Sequence, residues 1–186
     1  MSTIENARIL VVATHGFEQS ELEFPRDQLR AKGATVEVAT LDGQAIKGWE
    51  GKDWGREAKA DLKVSDAKAE DYDAIVLPGG QINPDLLRVE KDVLSLIKDF
   101  YDSGKVVAAI CHAPWLLIEA GLVKGRQLTS YPSVRTDVEN AGGHWQDKEV
   151  VADMGIVTSR KPDDLKAFVS KIVEEIEEGK HDRQAA

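Results

Sequence analysis

Cys111 is the only cysteine in the chain, and His112 follows it directly. A thiol beside an imidazole supplies a nucleophile for electrophilic carbon and a group that exchanges protons near neutral pH. The pair ends the run Lys105-Val106-Val107-Ala108-Ala109-Ile110 and precedes Ala113-Pro114. The small and β-branched residues predict a strand, and Pro114 suits the first turn of a helix closed by Gly121. A lone cysteine is ordinarily a small buried hydrophobe. At a strand-to-helix junction, however, the helix N-terminus favours negative charge, and thiolates there have pKa values of roughly 3.5–7.5. The expectation is a reactive thiolate on a sharp elbow, with Ala109 and Ala113 leaving room for the turn.

Other residues could complete such a centre. Gly79-Gly80 follow the apolar run Ala74–Leu77 and Pro78. They supply a tight turn and, with the amide of His112, a backbone N–H pair able to hold an oxyanion. Glu18 is ordinarily a solvated loop carboxylate; desolvated in the same crevice, it would keep its proton and donate a hydrogen bond to the Cys111 sulfur. Asp85 reads first as a helix-start residue and second as the acid that orients His112. His15 and Glu18 are two ligands without a third, so neither a metal nor any other cofactor is expected.

These loops need strands and helices to bring them together. Arg8–Thr14, Thr35–Leu41, Ala74–Leu77 and Lys105–Ile110 are near-continuous apolar runs, the pattern of strands buried on both faces. Val150–Ala152 and Ile156–Ser159 read as short strands around a turn, Gln127–Ser130 as another, and Gln44–Asp61 as irregular hairpin structure. Ser20 and Glu23 match a capping box for a helix that stops at Gly33, with Pro25 predicting a later start or a kink. Further helices are expected over Asn83–Arg88, Lys91–Tyr101, Ser133–Asn140 and Pro162–Glu178, with His144 on a surface turn and a polar, disordered tail from Lys180. The alternation of strand and helix gives an α/β sandwich with a mainly parallel central sheet, whose ligands bind beyond the carboxyl ends of the strands. There the loops His15–Ser20, Gly79–Pro84 and Cys111–Pro114 should converge.

Composition narrows the partners. With 186 residues the chain suits one domain, over residues 7–177, with a polar tail over 178–186. The formal charge of −9 argues against a nucleic-acid backbone or an anionic membrane as the main partner. No apolar run approaches the roughly 20 residues of a membrane span, and the segment before Ile9 carries Glu5 and Arg8, unlike a secretory signal. A single cysteine fits a reducing cytoplasm. Trp49, Trp54, Trp115 and Tyr131 suit a pocket wall as well as they suit core or interface packing.

Together, Phe17-Glu18, Val76-Leu77-Pro78-Gly79-Gly80, Ala108-Ala109-Ile110-Cys111-His112-Ala113-Pro114 and Thr158-Ser159-Arg160-Lys161-Pro162-Asp163-Asp164-Leu165 resemble the PfpI family. That family of intracellular cysteine hydrolases and general stress proteins belongs to the class I glutamine amidotransferase-like superfamily. The resemblance implies a flavodoxin-like three-layer sandwich and a homodimer or higher homo-oligomer. It places the nucleophile on Cys111, the adjacent histidine on His112, the sulfur-contacting glutamate on Glu18 and the oxyanion amides on Gly80 and His112. Two positions depart from the family pattern. Ala113 stands where glycine is usual, and Gln81-Ile82-Asn83-Pro84-Asp85 is one residue longer than the Arg-x-Pro-Glu form. The resemblance carries the histidine's acid, which in many members lies just after Pro-Gly-Gly and often across a subunit interface, onto Asp85.

The function expected is a cysteine-dependent stress-response hydrolase. Its substrates would be small carbonyl or glycation adducts (deglycase or glyoxalase III-like) or short peptides (intracellular protease). The alternative is an oxidative-stress sensor with an oxidisable Cys111 and little turnover. A glutamine amidotransferase is discarded, because neither His144 nor His181 has the His-x-Glu pattern its dyad needs.

Overall fold

A computed structural model of the chain describes residues 3–183. The first apolar run forms β1 (Arg8–Val12), which lies inside a seven-stranded sheet. Side chains alternate across a strand. Ile9 and Val11 therefore join one core layer, while Leu10 and Val12 join the other. The apolar residues have no exposed face to avoid, which is why the run is unbroken.

After β1 come the short β2 (Phe17–Glu18), α1 (Gln19–Ala31) and β3 (Thr35–Thr40), which pairs parallel to β1. The hairpin β4 (Ile46–Glu50) and β5 (Asp53–Ala58) carries a bulge between Lys47 and Trp49 and pairs parallel with β2. The short β6 (Leu62–Lys63) closes one sheet edge against β3. The chain then crosses to the other side of β1, where β7 (Ala74–Leu77) is followed by α2 (Ile82–Leu87), α3 (Lys91–Asp102) and β8 (Val106–Ile110). Beyond the elbow lie α4 (Pro114–Glu119), β9 (Gln127–Leu128), α5 (Arg135–Asn140) and β10 (His144–Trp145); β11 (Val150–Asp153), β12 (Ile156–Ser159) and α6 (Leu165–Glu178) complete the chain.

The sheet order is β11-β12-β8-β7-β1-β3-β6, parallel except for β11 against β12. Helices α1 and α6 cover the face that includes Ile9 and Val11, and α3 and α4 cover the other. This is the expected three-layer α/β sandwich. The strand order reverses between β1 and β7, and a crevice opens at the carboxyl ends of strands at such a switch point. Full burial of side chains such as Phe168 and Leu22 contributes roughly 1.5–3 kcal/mol each to holding the layers together.

Several boundaries differ from the sequence reading. Helix α1 starts at Gln19 with Glu18 as N-cap, so Ser20 is already helical and makes no cap, and Glu23 instead pairs with Arg56 at 2.6 Å. Pro25 sits inside α1 rather than at its start; only the bond it would have donated to Glu21 is lost. His144 lies in the two-residue strand β10, paired with β9, and is exposed. The tail does not fray at Lys180. The His181 N–H donates to Gly104 O at 2.8 Å, and the Arg183 guanidinium binds the carbonyls of Tyr101, Lys105 and Met154. Residues 184–186 of the tail lie outside the described residues. Among the described residues, no helix is long and apolar enough to cross a membrane.

Candidate active site

Strand β8 delivers its last residue, Ile110, into an abrupt turn. Cys111 takes φ +65°, a left-handed conformation that costs a non-glycine residue of order 1–3 kcal/mol. Neighbouring backbone holds it there. The Cys111 N–H donates to Ser159 O at 3.0 Å on β12, and Cys111 O accepts from the Tyr131 N–H at 2.8 Å. The Ala113 N–H donates to Ile110 O at 3.0 Å, and the completely buried Ala113 fits where glycine is usual. The elbow is therefore built as expected, and the strain is confined to the residue that carries the sulfur.

The loop after β7 approaches this turn so closely that it admits no side chain. A Cβ on Gly79 would stand 2.6 Å from Cys111 Cβ, from Glu21 Oε2 and from Ile110 O. Gly80, at φ +81°, would meet Gly16 O at 2.5 Å. This closeness lets the amides of Gly80 and His112 both donate toward the Cys111 sulfur. A buried asparagine that the sequence reading passed over fixes the loop. Asn83 Oδ1 accepts from the Thr14 N–H at 2.8 Å, while its Nδ2 donates to Pro78 O and Gly79 O at 2.9 and 3.1 Å. One side chain thus ties the β1 and β7 loops together.

The carboxyl beside the sulfur belongs to Glu21, which corrects the expectation for Glu18. Helix α1 buries Glu21, Leu22, Pro25 and Leu29 along one face, so the Glu21 side chain points into the elbow. Its Oε2 accepts from the Gly79 N–H at 2.9 Å, and the carboxyl contacts the Cys111 thiol. Burial, then the nearby Glu18 charge, raises its pKa to about 8. Glu21 is therefore protonated at neutral pH, and Oε1, buried without another hydrogen-bond partner, is where the proton can reside. Glu18 precedes the helix and is half-buried at the cavity wall, where burial and then Glu50 hold its pKa above the usual carboxylate range.

His112 is oriented at both ring nitrogens. Its Nδ1 lies 3.1 Å from Cys111 Sγ, and its Nε2 lies 3.3 Å from Ser133 Oγ. Tyr131 stacks on the ring at 4.8 Å, and Trp115 meets it edge-on at 5.1 Å. Burial lowers the imidazole pKa, which keeps the ring neutral at pH 7. The tautomer that fits both contacts has Nε2–H donating to Ser133 and the Nδ1 lone pair facing the thiol. Ser133 gave no sequence signal, since a serine at a helix start reads as a cap.

Asp85 does not fill that place within the chain. α2 turns Asn83, Pro84 and Leu87 inward, leaving Asp85 exposed beside Leu86 and Trp115. His15 is likewise separate, its Nδ1 accepting from the Lys47 N–H at 3.0 Å.

The thiol itself departs from the low-pKa expectation. Burial, followed by the charge that Glu21 takes on once it ionises at higher pH, pushes it up, against the pull of the Gly80 and His112 amides. The six-residue α4 is too short to reverse that cost. Cys111 therefore keeps its proton until a neighbouring base removes it, and His112 Nδ1 is placed to do so. Cys111, His112, Glu18, Glu21 and Tyr131 line one cavity of about 420 Å³, with Trp49 and Ile82 on its walls.

The family model described as DJ-1/PfpI matches residues 7–175. The chain is 43% identical over 162 residues to protein/nucleic acid deglycase 2 of Escherichia coli, covering 87% of this chain and 92% of that protein. It is 40% identical over 163 residues to general stress protein 18 of Bacillus subtilis, covering 87% and 92%. The crystal structure of Drosophila melanogaster DJ-1beta is similar with a TM-score of 0.83 at 32% identity, over 93% of this chain and 95% of that one.

Proposed function

We propose that this chain, which belongs to the DJ-1/PfpI family, is a cysteine-dependent hydrolase of small carbonyl or glycation adducts or of short peptides. The observation that carries the reading is the 3.1 Å contact between Cys111 Sγ and the Nδ1 of a neutral His112. On an amide, the sulfur attacks the carbonyl carbon while its proton passes to Nδ1. The C–S bond forms as the carbonyl π pair moves onto oxygen, where the Gly80 and His112 amides stabilise it. Collapse expels the amine, which takes the proton from His112. Water, deprotonated by the same ring, then cleaves the thioester and restores the thiol. A relative named a deglycase supports adducts on amines as one substrate class. A cavity of about 420 Å³ suits a small molecule or a peptide end better than a folded chain. Protein with Cys111→Ser should be folded and inactive toward both glycated amino acids and simple amides; turnover at the unsubstituted rate would remove the proposal.

A second reading, oxidative-stress sensing, is favoured by the protonated Glu21 against the sulfur. Two equivalents of peroxide would convert the thiol to a sulfinate, each transferring one oxygen and leaving as water, and the Glu21 O–H would donate to the sulfinate oxygen. Mass spectrometry after mild peroxide treatment should then show two oxygens on Cys111, and further oxidation in Glu21→Leu, which has no donor; unselective oxidation would count against it. For either reading, a homo-oligomer is the assembly we favour, because Ile82, Leu86 and Val89 leave an exposed apolar face beside the site, and the lone cysteine fits a reducing cytoplasm.

A further inference from the structure

We propose that Glu175, Glu178 and His181 form a divalent-cation site of the zinc type that clamps the C-terminal segment onto α6. Glu175 and Glu178 stand three residues apart on the last turn of α6 and so share a face. Gly179, at φ +94°, ends the helix and turns the chain back over that face. Two anchors then fix the segment beyond it: the His181 N–H on Gly104 O, and the Arg183 guanidinium on the carbonyls of Tyr101, Lys105 and Met154. His181 is therefore presented to the two carboxylates by the backbone. One ligand atom from each of the three residues lies within 4.8 Å of the others.

The cluster holds its ligand atoms close together without pairing them by hydrogen bonds. His181 Nε2 is buried without a hydrogen-bond partner, although Glu175 Oε2 lies only 3.3 Å away. The two groups are close but not aligned for a hydrogen bond. Glu175 retains 9% of its side-chain exposure, and no hydrogen bond to its carboxylate is found among the described residues. Lys171, the nearest cation on the same helix, is already paired with Glu174 at 2.7 Å. A buried carboxylate without a donor carries a desolvation cost that a cation offsets. The geometry fits a small one. Tetrahedral zinc with bonds of about 2.0–2.1 Å places its ligand atoms about 3.3–3.4 Å apart, which matches the Nε2–Oε2 separation. Glu178 is exposed, and its long side chain can close the remaining distance. One imidazole with two carboxylates favours Zn²⁺ over Mg²⁺ or Ca²⁺, which prefer all-oxygen shells. Glu178 and His181 lie beyond the residues the family model matches, so the site adds to the shared fold.

The test uses the untagged full chain carrying Cys111→Ser, which removes zinc binding by the thiol, after dialysis against a chelator. Titration calorimetry with ZnCl₂ should show one ion per chain, and zinc should raise the melting temperature. His181→Gln in the same background should weaken binding by more than the roughly 10–100-fold that losing an outer-shell partner costs. Glu178→Gln, on an exposed side chain whose loss cannot unfold the protein, should weaken it similarly, and Mg²⁺ should not compete. The proposal is overturned if the Cys111→Ser protein takes up no zinc, or if both variants bind as it does. Either result would leave Glu175 and His181 as a plain ion pair.

Discussion

Ser133 Oγ and Cys111 Sγ sit on opposite nitrogens of one imidazole, 3.3 Å from Nε2 and 3.1 Å from Nδ1 of His112. The serine hydroxyl, not a carboxylate, therefore sets the tautomer. A neutral hydroxyl orients the ring without favouring its protonated form, in keeping with the lowered imidazole pKa. Ser133→Ala removes one neutral hydrogen bond, worth roughly 0.5–1.5 kcal/mol. We expect kcat to fall several-fold with KM unchanged, and Ser133→Thr to restore it. Steady-state kinetics on a glycated amino acid checks this; equal losses in both variants would assign Ser133 to packing alone.

Glu21 supplies a pH dependence of stability. Its pKa is about 8 in the folded chain against an ordinary value of 4.5. The native state therefore holds a proton that the unfolded chain releases. Stability from this group is fully present below about pH 4.5 and is lost as pH rises toward about 8. Relative to Glu21→Gln, which does not titrate, the unsubstituted protein should lose melting temperature steadily across that window. Parallel Tm–pH curves for the two proteins would show that Glu21 is ionised in the fold.

Gly79 is the position where the loop and elbow touch. With three atoms 2.6 Å from the place a methyl group would occupy, Gly79→Ala forces Cys111, Glu21 and the β7 loop apart. Overpacking of this kind costs typically about 1–3 kcal/mol. Urea denaturation should show a loss of that order, and turnover should drop even where the variant is fully folded. A loop that yields without loss of either stability or turnover would mean that the close approach is not required.

Much of the fold was readable because its parallel strands are buried on both sides. The runs at Arg8–Val12 and Val106–Ile110 are unbroken for that reason, and the cysteine at the end of the second marks the elbow. The sulfur's carboxyl was harder to find, because a glutamate in an amphipathic helix reads as solvated. Its signal was present: Glu21 falls on the face of Leu22, Pro25 and Leu29, where a carboxylate has no solvent. Ser133 and Asn83 act through contacts between loops far apart in sequence, and no local pattern announces them. Within the chain Asp85 takes the outward face of α2, away from His112; motif spacing locates a residue along a helix without saying which face it takes. The tail read as disordered from composition alone, yet Arg183 finds three carbonyls that the strand and helix ends leave open.

The proposed role of His112 as base to a protonated thiol can be measured without knowing the substrate, since Cys111 is the sole cysteine. The rate of Cys111 alkylation by iodoacetamide is followed from about pH 4 to about 10, across the usual histidine and thiol ranges, in the unsubstituted protein and in His112→Gln. In the unsubstituted protein the rate should rise through a limb below the ordinary imidazole value, where His112 becomes free to accept the proton. In His112→Gln that limb should vanish, leaving only a rise above the ordinary thiol value of roughly 8.5. Superimposable profiles would contradict the assignment of His112 as the base.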